Sequence, residues 1–522
     1  MASSCPECGS PYMPTAQTIP ATTGETLARW HRLVKSNEAP GSAEAAFIRT
    51  VASDTGARLD FLDSEISRLQ SRLDQLQAER MQLSDYHSHN TSILSPLRRM
   101  PPEVLVQIFL WTLPSLQERS GGVFDTQGSP WTLAQVSSRW RGISLSTASL
   151  WSTVHVDFDH DLRHPEHSDI LQTQLQRCGT LNLHIHFYGR DEADSTEQLE
   201  LFDLLLEHSA PWEALDIQLS SALVPRLAQL RGRLPSLRRL WLQWDSEQSQ
   251  VGVDSITCFK SAPSLVDAGV NNESRFIPIY VPAHQLTTYR LHGPCKMHLH
   301  VLKLAPNIVE ARIVAEFDDE EAWPAPGAQA INLLHLQRLY VSNERMLDYL
   351  RTPRLADLGV QPLDEDLAVD SLDALFLRSG CAPQRLYLKD VYSTTTTLAI
   401  LNKYTFITTI VLTFFEHSID AMDAHMTLLT DVSQSPHLRE ICFGALQSMP
   451  VDYPLFLRMV KSRRQSSLRA ASVMAAHGPD PDPVTLAALD ELRDGGLDLR
   501  VDWGPEAQSE IDAWDNDCPW NR

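Results

Sequence analysis

A stripe of apolar residues early in the chain predicts one long helix. Leucine and isoleucine recur at alternating spacings of three and four residues between Leu59 and Leu83, with Arg80 as the one polar interruption. Neither glycine nor proline occurs from 57 to 94. This is the pattern of an a/d seam, so we predict a heptad-patterned, coiled-coil-like helix over residues 46–94. Its seam has two candidate partners: a second copy of the chain, as a homodimer through residues 59–83, or the unit that follows in the same chain.

Residues 95–152 predict a small all-α unit of three helices. Pro101 and Pro102 favour a helix start, because the first N–H groups of a helix need no partner. The apolar face of this first helix is expected on Leu105, Ile108, Phe109 and Thr112, widened by Val104 and Trp111. A second helix is expected from Pro130, with Leu133, Val136 and Trp140 on its apolar face. So small a unit cannot bury this many large apolar groups, so we expect it to dock on a partner.

From Val154 onward one template recurs, a proline followed by three spaced apolar positions. Its clear copies are Leu237/Leu240/Leu242, Leu265/Ala268/Val270, Ile308/Ala311/Ile313, Leu355/Leu358/Val360 and Leu438/Ile441/Phe443. Weaker copies are Trp212/Leu215/Ile217, Leu286/Tyr289/Leu291, Leu336/Leu339/Val341, Ile407/Ile410/Leu412 and a shortened Leu386/Leu388. The segments between copies often carry helical periodicity. A strand followed by a helix, repeated many times along the chain, is typical of leucine-rich repeats.

The predicted fold class is therefore α/β: a leucine-rich-repeat solenoid, or horseshoe, over residues 153–503, preceded by the three-helix unit and the N-terminal helix. The alternative is an ordinary α/β domain of alternating strands and helices. Residues 1–45 lack periodicity and are predicted to be mostly disordered. Residues 504–522 are predicted to form an acidic C-terminal tail.

Charge and composition narrow the function classes. The chain has 522 residues and a net charge of −22, which disfavours binding to nucleic acid or to an anionic membrane. Eight cysteines are too sparse for a disulfide scaffold, and neither a signal peptide nor a transmembrane run is visible. We therefore expect a soluble protein of the cytoplasm, the nucleus or both.

Candidate chemistry is scarce. Cys5 and Cys8 have the spacing of half a zinc ribbon, but the second half is missing, so they are weak metal candidates and no metal site is predicted. No phosphate-binding, serine-nucleophile, zinc-protease or dinucleotide-binding motif occurs. The sequence predicts no catalytic residue and no cofactor, and hence no enzyme.

The stretch from Leu97 to Phe109, together with the segment Leu133–Trp140 and the pair Leu150 and Trp151, resembles an F-box. The surrounding layout of heptad helix and irregular leucine-rich array resembles the large F-box family of mushroom-forming fungi. Met100 stands where the family has leucine, a swap that conserves volume, and the loop 115–130 is longer than in a minimal F-box.

The resemblance implies docking on the Skp-type adaptor of a Skp–cullin–F-box E3 ubiquitin ligase, with the repeats binding a protein substrate. The adaptor contacts it implies are Pro101, Glu103, Val104, Leu105, Ile108, Phe109, Val136, Trp140 and Trp151. Trp140 and Trp151 have an alternative role as internal anchors of a small helical trio. The expected function is substrate recruitment; the alternative is a non-ligase interaction scaffold built on the solenoid.

Overall fold

The computed structural model describes residues 24–114, 124–158, 167–193, 195–318, 323–325, 330–391, 393–414, 419–445, 450–505, 507–508 and 510–511. The described chain divides between Pro101 and Pro102 into two compact units.

The first unit contains two helices, α1 (Gly24–Lys35) and α2 (Ser42–Ile93). Arg29 of α1 holds the turn between them, since its guanidinium contacts Glu38 at 2.7 Å and Glu44 at 3.2 Å. Glu44 also accepts the N–H of Gly41 at 2.8 Å. These bonds lower the pKa of Glu44, the Gly41 N–H contributing most. Helix α1 and the first residues of α2 lie within the segment predicted to be mostly disordered; residues 1–23 lie outside the described part of the chain.

Helix α2 confirms the long helix, with a start four residues before the predicted one. None of its 52 residues is buried. The seam from Leu59 to Leu83 is 40–61 % exposed, so the helix presents a continuous apolar stripe to solvent.

The second unit alternates helices and strands. Its helices are α3 (Pro102–Trp111), α4 (Leu133–Val136), α5 (Ser138–Ser146), α6 (His167–Cys178), α7 (Ser195–Glu207), α8 (Glu247–Gln250), α9 (Cys295–Leu304), α10 (Glu365–Ser379), α11 (Thr394–Lys403), α12 (Ile419–Thr430), α13 (Tyr453–Arg463) and α14 (Pro483–Asp494). Its strands are β1 (Thr153–Asp157), β2 (Leu183–Tyr188), β3 (Trp212–Leu219), β4 (Arg239–Trp244), β5 (Asp267–Val270), β6 (Thr288–Gly293), β7 (Glu310–Ala315), β8 (Ile331–Asn332), β9 (Arg338–Val341), β10 (Leu350–Arg351), β11 (Asp357–Val360), β12 (Arg385–Lys389), β13 (Thr409–Phe414), β14 (Glu440–Ala445), β15 (Ala470–Ala475) and β16 (Asp498–Trp503). Short 3₁₀ turns such as Val224–Leu230 and Glu344–Tyr349 replace helices in some connections.

Fourteen of the described strands form one parallel sheet in which each strand pairs with its neighbours in the chain, from β1 at one edge to β16 at the other. The sheet is not closed, and β8 pairs separately with β10. Parallel neighbours need a crossover between them, which the intervening helices and turns supply. The fold is therefore mixed α/β with a sheet built in sequence order.

The repeated template lies on this sheet. The last two positions of all ten copies lie in strands, and every template residue is buried. The copies are also in register; for example, Leu215 pairs with Leu240 and Leu240 with Ala268. The leucines thus form one continuous core face. Among the described residues, no helix has the length and apolarity to cross a bilayer.

Candidate functional site

Helix α3 has two apolar faces with different surroundings. Leu105 and Phe109 are fully buried. Val104, Ile108 and Trp111 follow the spacing i, i+4, i+7 and therefore share a second side of the helix, next to the one that carries Leu105 and Phe109. Val104 is 44 % and Trp111 83 % exposed, while Ile108 is half-buried. An exposed apolar stripe ending in a tryptophan is typical of a protein-binding surface.

Helices α4 and α5 support the buried side of α3. The Trp140 ring of α5 lies against Phe109, with 4.7 Å between the ring centroids. The expected single helix from Pro130 is instead two helices beginning at Leu133, because Ser137 is extended and its hydroxyl accepts the Trp140 N–H at 3.2 Å. The break leaves Val136 at the end of α4, 60 % exposed.

Trp151 joins the helices to the sheet. Its ring is fully buried, and its Nε1 donates to the Ser144 carbonyl at 2.9 Å. Arg177 of α6 lies over both Trp151 and Trp131, with Cζ 4.4 and 4.5 Å from the two ring centroids. Gln174 donates to the carbonyl of Trp151 at 3.2 Å and to that of Thr153 in β1 at 2.8 Å. The tryptophan is therefore an internal anchor.

These positions divide the residues expected to contact an adaptor. Glu103, Val104 and Val136 are exposed, Ile108 and Trp140 are half-buried, and Pro101 is exposed in the first unit. Leu105, Phe109 and Trp151 are fully buried, so their side chains lie in the core beneath this surface, and their expected contacts with an adaptor stay predictions. Trp111, absent from the expected contacts, is the most exposed of the large apolar residues on α3. Trp111 could have been predicted as part of this surface, because it lies one turn beyond Ile108 on the same side of α3.

A second candidate surface is the side of the sheet opposite the leucines, here called the non-leucine face. Successive strand residues point to opposite sides, so the registered row on this face is His155, His186, Asp216, Trp241, Gly269, Arg290, Arg312, Tyr340, Gly359, Tyr387, Val411, Cys442, Ser472 and Arg500. The row is mainly polar from β1 to β7, with Trp241 and Gly269 as the exceptions, and mainly aromatic or apolar from β9 to β15.

The polar half is organised by hydrogen bonds between neighbouring strands. The Tyr188 hydroxyl donates to Asp216 at 2.7 Å, and Nδ1 of His186 lies 3.3 Å from the same carboxylate oxygen. Burial, with the Asp216 charge as a smaller contribution, raises the pKa of Tyr188 above its ordinary value. A Cβ on Gly269 would overlap the Trp241 ring, so glycine lets this tryptophan lie across the next strand. Hydroxyl, imidazole, carboxylate and indole groups on a fixed backbone suit recognition of a polypeptide.

A buried carboxylate marks the middle of the sheet. Glu310 is 3 % exposed; it accepts from Nε of Arg338 at 2.9 Å and lies 3.4 Å from Nη2 of Arg290. Its two partners stand on the strands that flank β7. The triad therefore fixes charged side chains on the non-leucine face at the point where its polar half meets its aromatic half.

The aromatic half is covered by the end of the described chain. Gly504, with φ of +72°, turns the backbone after β16. Ala507 and Ile511 are then fully buried. They share one cluster with Val314, Tyr340, Tyr387, Val411, Cys442, Met474 and Ala476. The core therefore includes Ile511, which lies in the segment predicted to be an acidic C-terminal tail; residues 512–522 lie outside the described part of the chain.

Gly359 and an ion pair shape this covered half. A Cβ on Gly359 would lie 2.8 Å from Tyr340 and 3.2 Å from Tyr387, whose rings stack with centroids 6.0 Å apart. Arg500 of β16 donates to Glu510 at 3.1 Å. The polar half of the non-leucine face is thus the part left uncovered by this segment.

Metal-binding chemistry has little support here. Cys5 and Cys8 lie outside the described residues. Within the described ranges, no group of three or more His, Cys, Asp and Glu side chains could hold a metal ion. The described cysteines, from Cys178 to Cys442, are all buried, and burial raises the pKa of the Cys258 and Cys442 thiols to about 12. Such thiols are poor nucleophiles.

Comparison with models of known protein families gives no match, and comparison with curated protein sequences gives none either.

Proposed function

We propose that this chain is a substrate-recruiting subunit of a Skp–cullin–F-box type E3 ubiquitin ligase. Its helical unit would bind the Skp-type adaptor, and the non-leucine face of a leucine-rich-repeat solenoid would bind the protein to be modified. Ubiquitin transfer itself would take place on other subunits. The observation that carries the proposal is the F-box-like sequence whose first helix exposes Val104, Ile108 and Trp111 while burying Leu105 and Phe109.

The helical unit has what a docking element needs. Its interior is complete, because Phe109 and Trp151 are buried with their own partners. The large exposed groups are therefore not required for its own core. Burying Trp111 and Val104 against an apolar partner would supply the few large anchors that dominate binding energy.

The substrate side of the proposal rests on the polar half of the non-leucine face. Asp216, His186 and Tyr188 offer fixed donors and acceptors, and Trp241 offers a partly exposed aromatic surface. The covered half would contribute no direct contacts while Ile511 lies on it. We therefore place the substrate on strands β1–β6.

Affinity purification of the full chain from cells that contain the adaptor tests this proposal. In the variant Val104→Asp the substitution is exposed, and an acid in the first turn of α3 suits the helix dipole. It should lose the adaptor and keep the proteins bound to the repeats. The matched control is Leu377→Asp on α10, at a position 90 % exposed, which should keep both. Failure of the unaltered chain to retain the adaptor would refute the proposal.

The lifetimes of the proteins that the chain retains separate a ligase subunit from a non-ligase scaffold. Under the proposal, these proteins accumulate when Val104→Asp replaces the unaltered chain, because their route to ubiquitination is lost. Unchanged lifetimes, with adaptor binding intact in the unaltered chain, would favour the scaffold.

A further inference from the structure

We propose that α2 pairs with α2 of a second copy of this chain as an antiparallel two-stranded coiled coil, centred between Ser67 and Arg68. This inference is independent of the proposed function. It starts from the exposed seam of α2, whose a positions are Leu59, Ile66 and Leu73 and whose d positions are Leu62, Leu69 and Leu76. All six side chains are 40–61 % exposed. A seam of this length at a spacing of 3.5 residues is covered best by a second helix with the same repeat.

The seam is self-complementary when two copies of the helix run antiparallel. In an antiparallel pair, each a residue packs in a layer with a d residue of the other helix, at positions equally far from the centre. About the proposed centre the layers are Leu59 with Leu76, Leu62 with Leu73 and Ile66 with Leu69 of the second copy, each formed twice by the two-fold axis. All six large residues are thus matched, and none faces a polar group.

The charges beside the seam favour the same arrangement. The g positions are Arg58, Glu65, Arg72 and Glu79, whose sign alternates at every heptad. Antiparallel helices bring g against g. Arg58 then faces Glu79 of the second copy and Glu65 faces Arg72 of the second copy, giving four ion pairs. Charges at these positions set the orientation of coiled coils.

A parallel pair of the same helices is poorer in charge pairing. There each g residue faces the e residue five positions further along, which pairs Arg58 with Asp63 but sets Glu65, Arg72 and Glu79 against uncharged Gln70, Gln77 and Ser84. Arg80, at an a position, would face its own copy inside the seam. In the antiparallel pair Arg80 faces Thr55 instead.

Contacts within the helix are compatible with this pairing. Glu65 binds Arg68 in its own helix, with Nε 2.9 Å from Oε2, and Arg72 donates to Gln75 at 3.3 Å. An ionised carboxylate has acceptor sites for more than one donor, so Glu65 can take Arg72 of the second copy while keeping Arg68. None of the residues of α2 is buried, so substitutions along the seam should leave the rest of the fold intact.

The test is the dimerisation constant of the full chain, measured by analytical ultracentrifugation, with circular dichroism as the check on folding. The unaltered chain should form dimers. Ile66→Asp with Leu69→Asp should be monomeric, whereas Ser67→Asp, between them at an outward b position, should dimerise normally. A monomeric unaltered chain, a trimer, or a dimer that survives the double substitution would overturn the proposal.

Charge reversal tests the orientation. Glu65→Arg alone should weaken the dimer about tenfold, because it creates two like-charge contacts with Arg72 of the second copy and removes two attractive ones. Arg72→Glu alone should do the same. The two changes together should restore the dimer, since each chain then carries the swapped pair. A parallel dimer would be insensitive to both single changes and weakened by Arg58→Glu, and that result would refute the antiparallel arrangement.

Discussion

The guanidinium carbon of Arg177 lies 4.4 Å from the centroid of the Trp151 ring. Arg177 lies in the last turn of α6, the first helix after β1, and Trp151 follows the last helix of the helical unit. This contact joins the helical unit to the sheet. Burial lowers the pKa of Arg177, which is the cost of keeping a cation against two indole rings.

Replacing Arg177 by alanine should lower the free energy of unfolding by about 2 kcal/mol, the upper end expected for a partly desolvated cation–π contact. Arg177→Lys should recover only part of this, because an ammonium cannot stack on Trp131 and Trp151 at once. Urea denaturation of the three proteins measures both effects. Equal free energies of unfolding for the unaltered chain and for Arg177→Ala would show that the contact does not stabilise the fold.

Glu310 should be far more important for stability than an exposed carboxylate. Glu310→Ala leaves Arg290 and Arg338 without their shared partner, and we expect a loss of roughly 3 kcal/mol. Asp490→Asn, which removes the exposed i,i+3 pair with Arg493, should cost at most about 0.5 kcal/mol. Similar denaturation midpoints for the two variants would contradict this ranking.

His298 should make the protein sensitive to mild acid. Burial lowers the pKa of His298 to about 4, while its ring nitrogens lie 3.0 Å from the Tyr289 hydroxyl and 3.1 Å from the Val314 carbonyl. The unfolded chain protonates this histidine near its ordinary pKa of about 6.5. The contribution of His298 to the free energy of unfolding is therefore fully present above that pH and decreases as the pH falls toward 4. The loss from this group between pH 7 and pH 5 should be about 2 kcal/mol.

The matched measurement compares urea midpoints at the two pH values for His298→Asn and for His300→Asn, an exposed histidine on the same helix. His298→Asn should flatten the pH dependence, and His300→Asn should leave it as in the unaltered chain. An unchanged slope in His298→Asn would assign the acid sensitivity to other groups.

Ile511 should hold the C-terminal segment on the sheet. Ile511→Asp puts a charge among Tyr340, Tyr387 and their apolar neighbours, which is unfavourable without a partner. We expect residues 504–511 to detach locally and lose protection in hydrogen exchange. Val484→Asp, at a position 79 % exposed on α14, is the control. Full protection of the segment in Ile511→Asp would show that the cluster does not depend on it.

The sheet could be predicted from the sequence where the template was complete. Four strands, β1, β2, β15 and β16, were missed because their copies are weaker. The copy at β15, Leu468/Ala471/Val473, keeps the spacing of the template but lacks the preceding proline. At β16 a glycine stands at the first apolar position of the template. Helix α1 was missed because its apolar residues, Leu27, Trp30, Leu33 and Val34, are confined to one short helix between segments without periodicity.

The candidate docking surface was harder to predict. Leu105 and Phe109 and, on the neighbouring side, Val104 and Ile108 form two apolar stripes on one short helix. Periodicity alone cannot tell which of them faces the core, since this depends on where Trp140 packs. The sequence also did not predict that the C-terminal segment covers the aromatic half, because Ala507 and Ile511 are only two apolar residues in an acidic segment.

Calorimetric titration of the full chain with a purified Skp-type adaptor measures whether the exposed stripe of α3 binds it, as we propose. The unaltered chain and the Leu377→Asp control should bind one adaptor with the same affinity. Val104→Asp combined with Val136→Asp should weaken binding at least about 100-fold, as expected when central apolar contacts are lost. Equal affinity of this double variant and the control, or no binding by the unaltered chain, would show that the exposed stripe of α3 is not an adaptor-binding surface.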